Sequence, residues 1–198
     1  MVARIVDAGT RVLVANGYDG ASTNRIAAEA GISPGSLYQY FPNKDAIVLA
    51  VVDRYRARIE RDITQQLAGM LEAQPVDLVT TILAALVESL SREPEILRAI
   101  VENVPRHAGV ETFATFEQRV ADLLRGYLMM RRDLLRDADL ETAIWMVVQV
   151  VENLSVRYVL EAPPIPREQF VDELATMAIS YLVAPRLARA AHEQHRAG

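Results

Sequence analysis

The chain has 198 residues, enough for one compact unit or for a small module joined to a larger one, with a real core in either case. Hydrophobic residues make up 51 %, charged residues 24 %, and Gly and Pro are only nine each, which excludes a collagen-like repeat or a disordered chain. The absence of cysteine removes disulfides, thiolate metal sites and thiol nucleophiles, and a net charge of −5 excludes a generally cationic nucleic-acid binder.

In chain order, helical periodicity dominates and no alternating β-branched run is bounded by hairpin turns, so an all-α fold is expected. The start, MVARIVDAGTRVLVANG, mixes Arg4, Asp7 and Arg11 into its apolar run where a signal peptide would be uninterrupted, and a cytoplasmic location is expected. A first helix is predicted from about Val2 to Asn16, with Ile5, Ala8, Val12 and Ala15 on one stripe and Asn16-Gly17 as a left-handed end. Thr23 stands where an N-cap belongs, before a two-turn helix carrying Ile26, Ala27 and Ala30 that Gly31 ends. Ser33 as N-cap and Pro34 at the first position open a third helix, with Leu37, Tyr40 and Phe41 inward and Gly35, Ser36, Tyr38 and Gln39 outward. Two helices crossing steeply over so short a turn need a small residue at the crossing and a bend tolerant of positive φ, which Ala27 and Gly31 supply.

These three helices define an expected domain over residues 1–46, with a helix-turn-helix at 22–41. Residues 47–198 are expected to form a second domain of six helices, over about 45–72, 77–90, 95–103, 110–132, 139–161 and from 167 onward. Joints are expected at Pro75, Pro94, Pro105 and Pro163-Pro164-Ile165-Pro166, with a kink at Pro185. The apolar stretch 143–160 contains Gln149, Glu152, Asn153 and Arg157, which are costly in lipid, so a buried helix is expected there and no membrane partner.

Residues 1–46 hold four cations, Arg4, Arg11, Arg25 and Lys44, against four acids, Asp7, Asp19, Glu29 and Asp45, so all the excess acid lies beyond. The outward face of the third helix is small, polar and uncharged. Such a face reads DNA by letting the backbone approach the duplex while a few donors hold phosphate. Thr23, Ser33, Ser36, Tyr38 and Tyr40 offer hydroxyls, and Lys44 begins the next helix.

The pattern T-x-x-I-A-x-x-A-G-[IV]-S-x-G-x-L-Y-x-Y-F-x-x-K, met by Thr23, Ile26, Ala27, Ala30, Gly31, Ile32, Ser33, Gly35, Leu37, Tyr38, Tyr40, Phe41 and Lys44, resembles that of the TetR family of bacterial one-component regulators. Asn16-Gly17-Tyr18 is a similar lead. The resemblance covers residues 4–55 in sequence and only helix count and length thereafter. It implies phosphate contacts for Thr23, Tyr38, Tyr40 and Lys44, and a regulator, most often a repressor, released from a palindromic operator by a small molecule. Many relatives carry a basic arm before the first helix, whereas only Met1, Val2 and Ala3 precede Arg4 here.

A homodimer would set two reading helices about 34–36 Å apart. The 139–161 helix is apolar on two sides, with Leu140, Ala143, Ile144, Val147, Val151, Leu154 and Tyr158 on one and Trp145, Val148, Val156 and Val159 on the other. It is expected to dimerise together with the 167–184 helix, as the resemblance implies. Polar or aromatic residues on apolar helices mark a candidate effector pocket: Arg98, Glu102, Asn103, Tyr127, Trp145, Gln149 and Glu152, with pairing among themselves, or of Arg98 or Arg157 with Glu152, as the alternative. The competing classes are an all-α enzyme and a helical adaptor without operator recognition. Glu-x-x-His pairs, a Ser/His/Asp relay and a Gly-rich phosphate loop are all missing, and His107, His192 and His195 lie in a loop and the tail, so no catalytic residue, metal or cofactor is expected.

Overall fold

The computed structural model describes residues 1–67, 75–103 and 139–182, together with Asp122, Arg125, Gly126 and Met129. The described residues form eight helices and no strand: α1 (Val2–Gly20), α2 (Thr23–Glu29), α3 (Pro34–Tyr38), α4 (Lys44–Leu67), α5 (Pro75–Ser91), α6 (Pro94–Asn103), α7 (Leu140–Glu161) and α8 (Arg167–Leu182). The chain is all-α, with a helix-turn-helix at the amino end followed by a helical body. The helix expected over 110–132, Pro105, His107, Pro185, His192 and His195 lie outside the described residues. Pro75 and Pro94, expected in joints, are instead the first residues of α5 and α6. A helix's first N–H has no intrahelical partner, so proline there sacrifices nothing.

The chain divides into two compact units, Met1–Thr64 with Glu88–Phe116 and Gln65–Val87 with Glu117–Gly198. In the first unit α1 buries Ile5, Ala8, Gly9, Val12 and Leu13. Ala15, expected on this stripe, is exposed; at 100° per residue it sits about 90° from the stripe's centre. Nor does α1 end at Asn16: Gly17 adopts φ 65° and ψ −179°, a kink after which Tyr18–Gly20 add one turn. The α1 stripe meets Ile26, Ala27, Ala30, Leu37 and Phe41 of the helix-turn-helix, Ile47, Val48 and Val51 of α4, and Ala99 of α6. α1 and α4 touch so closely at Gly9 that a Cβ there would lie 2.7 Å from Ile47 Cγ2.

In the second unit Leu83 and Val87 of α5 pack with Val171, Leu174 and Ala175 of α8, joined by Val151 and Tyr158 of α7. Ala162 caps α7 in the left-handed region at φ 45°. Tyr158 then stacks on Phe170 at 4.1 Å and donates its hydroxyl to the Ile165 carbonyl at 2.9 Å, which pins the proline-rich turn. A smaller cluster gathers Ala143, Ile144 and Leu182.

The expectation of a buried helix at α7 needs correcting, because only Ala143, Ile144 and Ser155 are buried along it. Its first stripe packs within its own unit apart from Leu154, while Trp145 on the other side is 62 % exposed. Two apolar faces on one helix exceed what one layer of neighbours covers. By length and composition α7 is apolar enough to cross a membrane. Gln149, Glu152, Asn153 and Arg157 within it would each be costly in hydrocarbon.

Candidate nucleic-acid interface

The helix-turn-helix is assembled from local backbone chemistry. Ser22, not Thr23, is the N-cap of α2, its Oγ accepting from the Arg25 N–H at 3.2 Å, so Thr23 becomes the first helical residue. The Arg25 guanidinium turns back to donate to the Gly20 carbonyl, one of the acceptors left free at the end of α1. At the bend Gly31 takes φ 63°, which a side chain would oppose, and Ile32 N–H donates to the Ala27 carbonyl at 3.0 Å. Ser33 then caps α3, accepting from the Ser36 N–H at 3.1 Å, with Pro34 in the first turn. Leu37, fully buried, and Ala27 behind it fix how deeply α3 sits.

What remains outside is the face expected to meet DNA. Pro34, Gly35 and Gln39 are exposed, Ser36 is half-buried with its Oγ 2.9 Å from Ser33 Oγ, and Tyr38 is 52 % exposed. Tyr40 was expected inward and is 44 % exposed. Beyond Tyr38 the backbone keeps its helical sense, with the N–H groups of Tyr40 and Phe41 both donating to the Leu37 carbonyl, and of the two it is Phe41, four residues on and closer to Leu37 in helical phase, that returns to the core. Across the two helices Thr23 Oγ1 and Tyr38 Oη lie 2.9 Å apart. A Cβ on Gly35 would find only Ser33 Oγ, at 3.9 Å, so nothing inside the fold demands glycine there.

Lys44 is anchored as well as placed. Its Nζ donates to the Tyr18 carbonyl at 3.0 Å and stands 4.1 Å from the centre of the Tyr18 ring. Tyr18 in turn donates its hydroxyl to Asp45 Oδ1 at 2.6 Å, and that bond, aided by burial and the Asp45 charge, pushes its pKa up to about 12. Two further cations of the first unit are engaged too: Arg11 with Glu29 at 2.5 Å, and Arg54 with Asp7 and, at 2.8 Å, Thr10 Oγ1. Exposed pairs of this kind contribute only about 0–1 kcal/mol each, so a phosphate can displace the acid at little cost. Ser22, Tyr18 and Asp45 were not singled out by the sequence pattern. The only signal was a second hydroxyl beside Thr23 and a tyrosine in the Asn-Gly-Tyr lead.

The candidate effector residues are spread over both units. Arg98 and Glu102 pair with each other at 3.1 Å on the exposed side of α6, in the first unit. Trp145, Gln149 and Glu152 lie on α7 in the second, the last two half-buried, while Arg157 pairs with Glu161 at 2.8 Å rather than with Glu152. Tyr127 and the Asn103 side chain lie outside the described residues. No group of three or more metal-ligating side chains occurs among the described residues.

The family model described as "Bacterial regulatory proteins, tetR family" matches residues 5–51, and "Tetracyclin repressor-like, C-terminal domain" matches residues 74–182. The fatty acid metabolism regulator protein of Bacillus subtilis is 26 % identical over 130 residues, covering 63 % of this chain but only 61 % of that protein. The HTH-type transcriptional repressor DhaR of Mycobacterium sp. (strain GP1) is 28 % identical over 178 residues, covering 84 % of this chain and 86 % of the repressor. The crystal structure of the regulator FadR from Bacillus subtilis in complex with stearoyl-CoA superposes with a TM-score of 0.70 at 18 % identity, covering 92 % of this chain and all of that one.

Proposed function

The chain belongs to the TetR family of bacterial regulatory proteins, and from that premise we propose a homodimeric repressor that holds a palindromic operator until a small-molecule effector releases it. The observation that carries the DNA half is the exposed face of α3. It offers hydroxyls and a bare glycine, seated at fixed depth by buried Leu37, with the Thr23 and Tyr38 oxygens already in contact. In this reading Thr23, Tyr38, Tyr40 and Lys44 hold phosphate, while Ser33, Pro34, Gly35, Ser36 and Gln39 lie against the major groove.

We assign reading to residues 1–46 and sensing and dimerisation to 47–198. Support for an effector comes from the relatives: one is named for fatty acid metabolism and a structural neighbour was solved with stearoyl-CoA. A ligand that binds one spacing of the two reading heads better than another shifts the dimer toward it, and release follows if that spacing misfits successive grooves. α7 and α8 are the proposed dimer helices, for Trp145, Met146 and Leu154 of α7 and Met177 of α8 are large apolar side chains left exposed, and a second copy would cover them.

The test is a mobility shift on DNA flanking the protein's own gene, with Tyr38→Ala and Lys44→Ala in parallel. Retardation by the parent and its loss in both variants is expected. Equal binding by all three would refute the assigned contacts, and a flat profile across unrelated DNA would favour an adaptor without operator recognition.

A further inference from the structure

The outward face of α3 carries few of the groups that tell one base pair from another. Between Ser22 and Asn43 the only cation is Arg25, and its guanidinium is turned back onto the Gly20 carbonyl. The only acid in that stretch, Glu29, is paired with Arg11 at 2.5 Å. In the major groove guanine is read through O6 and N7 by Arg or Lys, and cytosine through its amino group by a carboxylate. α3 itself presents neither, so a G·C pair beneath it meets no matching side chain.

The serine hydroxyls of α3 are partly spent as well. Ser33 Oγ accepts from the Ser36 N–H at 3.1 Å and lies 2.9 Å from Ser36 Oγ, which leaves one free hydroxyl proton between the two. A single hydroxyl donates to or accepts from any base edge and so discriminates little.

Apart from the tyrosines assigned to phosphate, three exposed residues remain: Pro34, Gly35 and Gln39. Pro34 shows an apolar ring, Gly35 a bare Cα and Gln39 a side-chain amide. Gln39 keeps helical angles, φ −68° and ψ −21°, so it stands one turn beyond Gly35 on the same face. An apolar group in the major groove has one base feature to pack on, the thymine 5-methyl group, and a glutamine amide matches the N6 and N7 atoms of adenine. Ring and amide therefore select the same base pair, and a helical turn of about 5.4 Å lets them fall on nearby steps of the duplex.

Resting on the operator-binding reading above, we propose that α3 is an A·T reader. The Pro34 ring packs on a thymine methyl group, Gly35 lets the backbone close on the base edges, and the Gln39 amide pairs with adenine N6 and N7. Pro34 and Gln39 then set the operator sequence, whereas Thr23, Tyr38, Tyr40 and Lys44 hold the phosphates of any sequence alike.

The operator would be selected with the full chain from a randomised duplex library. It would then be rebuilt with deoxyuridine for thymidine, or 7-deazaadenine for adenine, at one position of one half-site at a time, and affinity read by fluorescence anisotropy. For at least one thymine, loss of the methyl group should weaken the parent about fourfold, the worth of one buried methyl group, and Pro34→Ala should bind both duplexes alike. For one adenine, loss of N7 should weaken the parent about fivefold, the worth of one hydrogen bond, and Gln39→Ala should bind both duplexes alike. Each comparison is made within one protein, so a variant of lower stability or overall affinity still reports. An operator insensitive to either replacement, or a variant that keeps the parent's discrimination, overturns the proposal and leaves operator binding standing. Enrichment of no sequence would defeat operator recognition itself, and the A·T reader with it.

Discussion

Thr23 and Tyr38 bring their hydroxyl oxygens within 2.9 Å of each other from two different helices, on a surface both share with solvent. One oxygen donates to the other, which leaves the acceptor's own proton free to point outward, and a phosphate oxygen is a stronger acceptor than water. Tyr38→Phe should therefore weaken operator binding about tenfold or more, the loss of one hydrogen bond to a charged group. The melting temperature should hardly move because the pair is exposed. Fluorescence anisotropy with labelled operator checks the first, calorimetry the second, and a large drop in melting temperature would make the pair a structural clip instead.

Glycines 9 and 35 should respond to alanine in opposite ways. At Gly9 the new Cβ meets Ile47 Cγ2 at 2.7 Å inside the core, and overpacking of this kind costs about 1–3 kcal/mol. Gly35 has open space, and alanine in a helix is favoured over glycine by about 0.5–1 kcal/mol. Gly9→Ala should melt lower and, once folded, bind DNA as the parent does. Gly35→Ala should be as stable as the parent or more so and lose operator binding. Retained binding by Gly35→Ala would show that the duplex does not approach this backbone closely.

Lys44 tests how much charge the interface uses. Its ammonium already has the Tyr18 carbonyl and ring as partners, so it is held ready rather than recruited. Lys44→Gln should reduce the slope of log K against log salt by about 1 per lysine removed, hence by about 2 for a dimer on its operator. If affinity falls while the slope stays put, the lysine only positions α1 against α4.

The features legible in the sequence were those in which a residue's own backbone chemistry decides the outcome. Ser33 followed by Pro34 can start a helix, Gly31 tolerates φ 63°, and Ala27 fits where little space exists, so the turn was readable one residue at a time. Adjacent hydroxyls at Ser22 and Thr23 gave the pattern two N-caps to choose from, and the choice fell one residue late. Tyr40 and Phe41 both stand near Leu37 in helical phase, and the spacing alone does not say that only Phe41 takes the core position. The contacts between Arg58 and Ser89, or Lys44 and Tyr18, join residues 31 and 26 apart, and no local rule selects such partners. Likewise two apolar stripes on α7 say that two sides want cover without saying which side the same chain provides.

Alkaline pH should unfold the protein through two tyrosines. Both Tyr18, by its bond to Asp45, and Tyr55, by burial, have pKa values of about 12 against 10.0 for an unperturbed tyrosine. Between those values the unfolded chain releases protons that the folded one keeps, so the unfolded state binds fewer and stability falls with rising pH. The contribution is intact below pH 10 and is lost progressively up to about pH 12. Urea midpoints measured from pH 9 to 11 should decline more steeply for the parent than for Tyr18→Phe or Tyr55→Phe, and least for the double variant. Parallel curves for all four proteins would remove both tyrosines as the cause.

An exposed apolar groove between α7 and α8 leads to the last expectation. Met146 on α7 and Met177 on α8 are each 41 % exposed and line one shallow groove with Val150 and Tyr181, whose hydroxyl sits 3.1 Å from Met146 Sδ. Flexible thioethers on exposed neighbouring helices suit a self-complementary contact, in which each copy presents the same stripe to the other. Lysine at both positions would bring four ammonium groups together across the two-fold axis without disturbing the buried Ala143, Ile144 and Leu182 behind them. Light scattering should then report a dimer for the parent at micromolar concentration and a monomer of unchanged helicity for Met146→Lys/Met177→Lys. Operator affinity should fall steeply with it, because two reading heads held together gain an effective concentration that separate ones lack. A variant that remains dimeric would place the interface elsewhere on the body, and a monomeric parent that still binds its operator tightly would rule out dimerisation as the source of affinity.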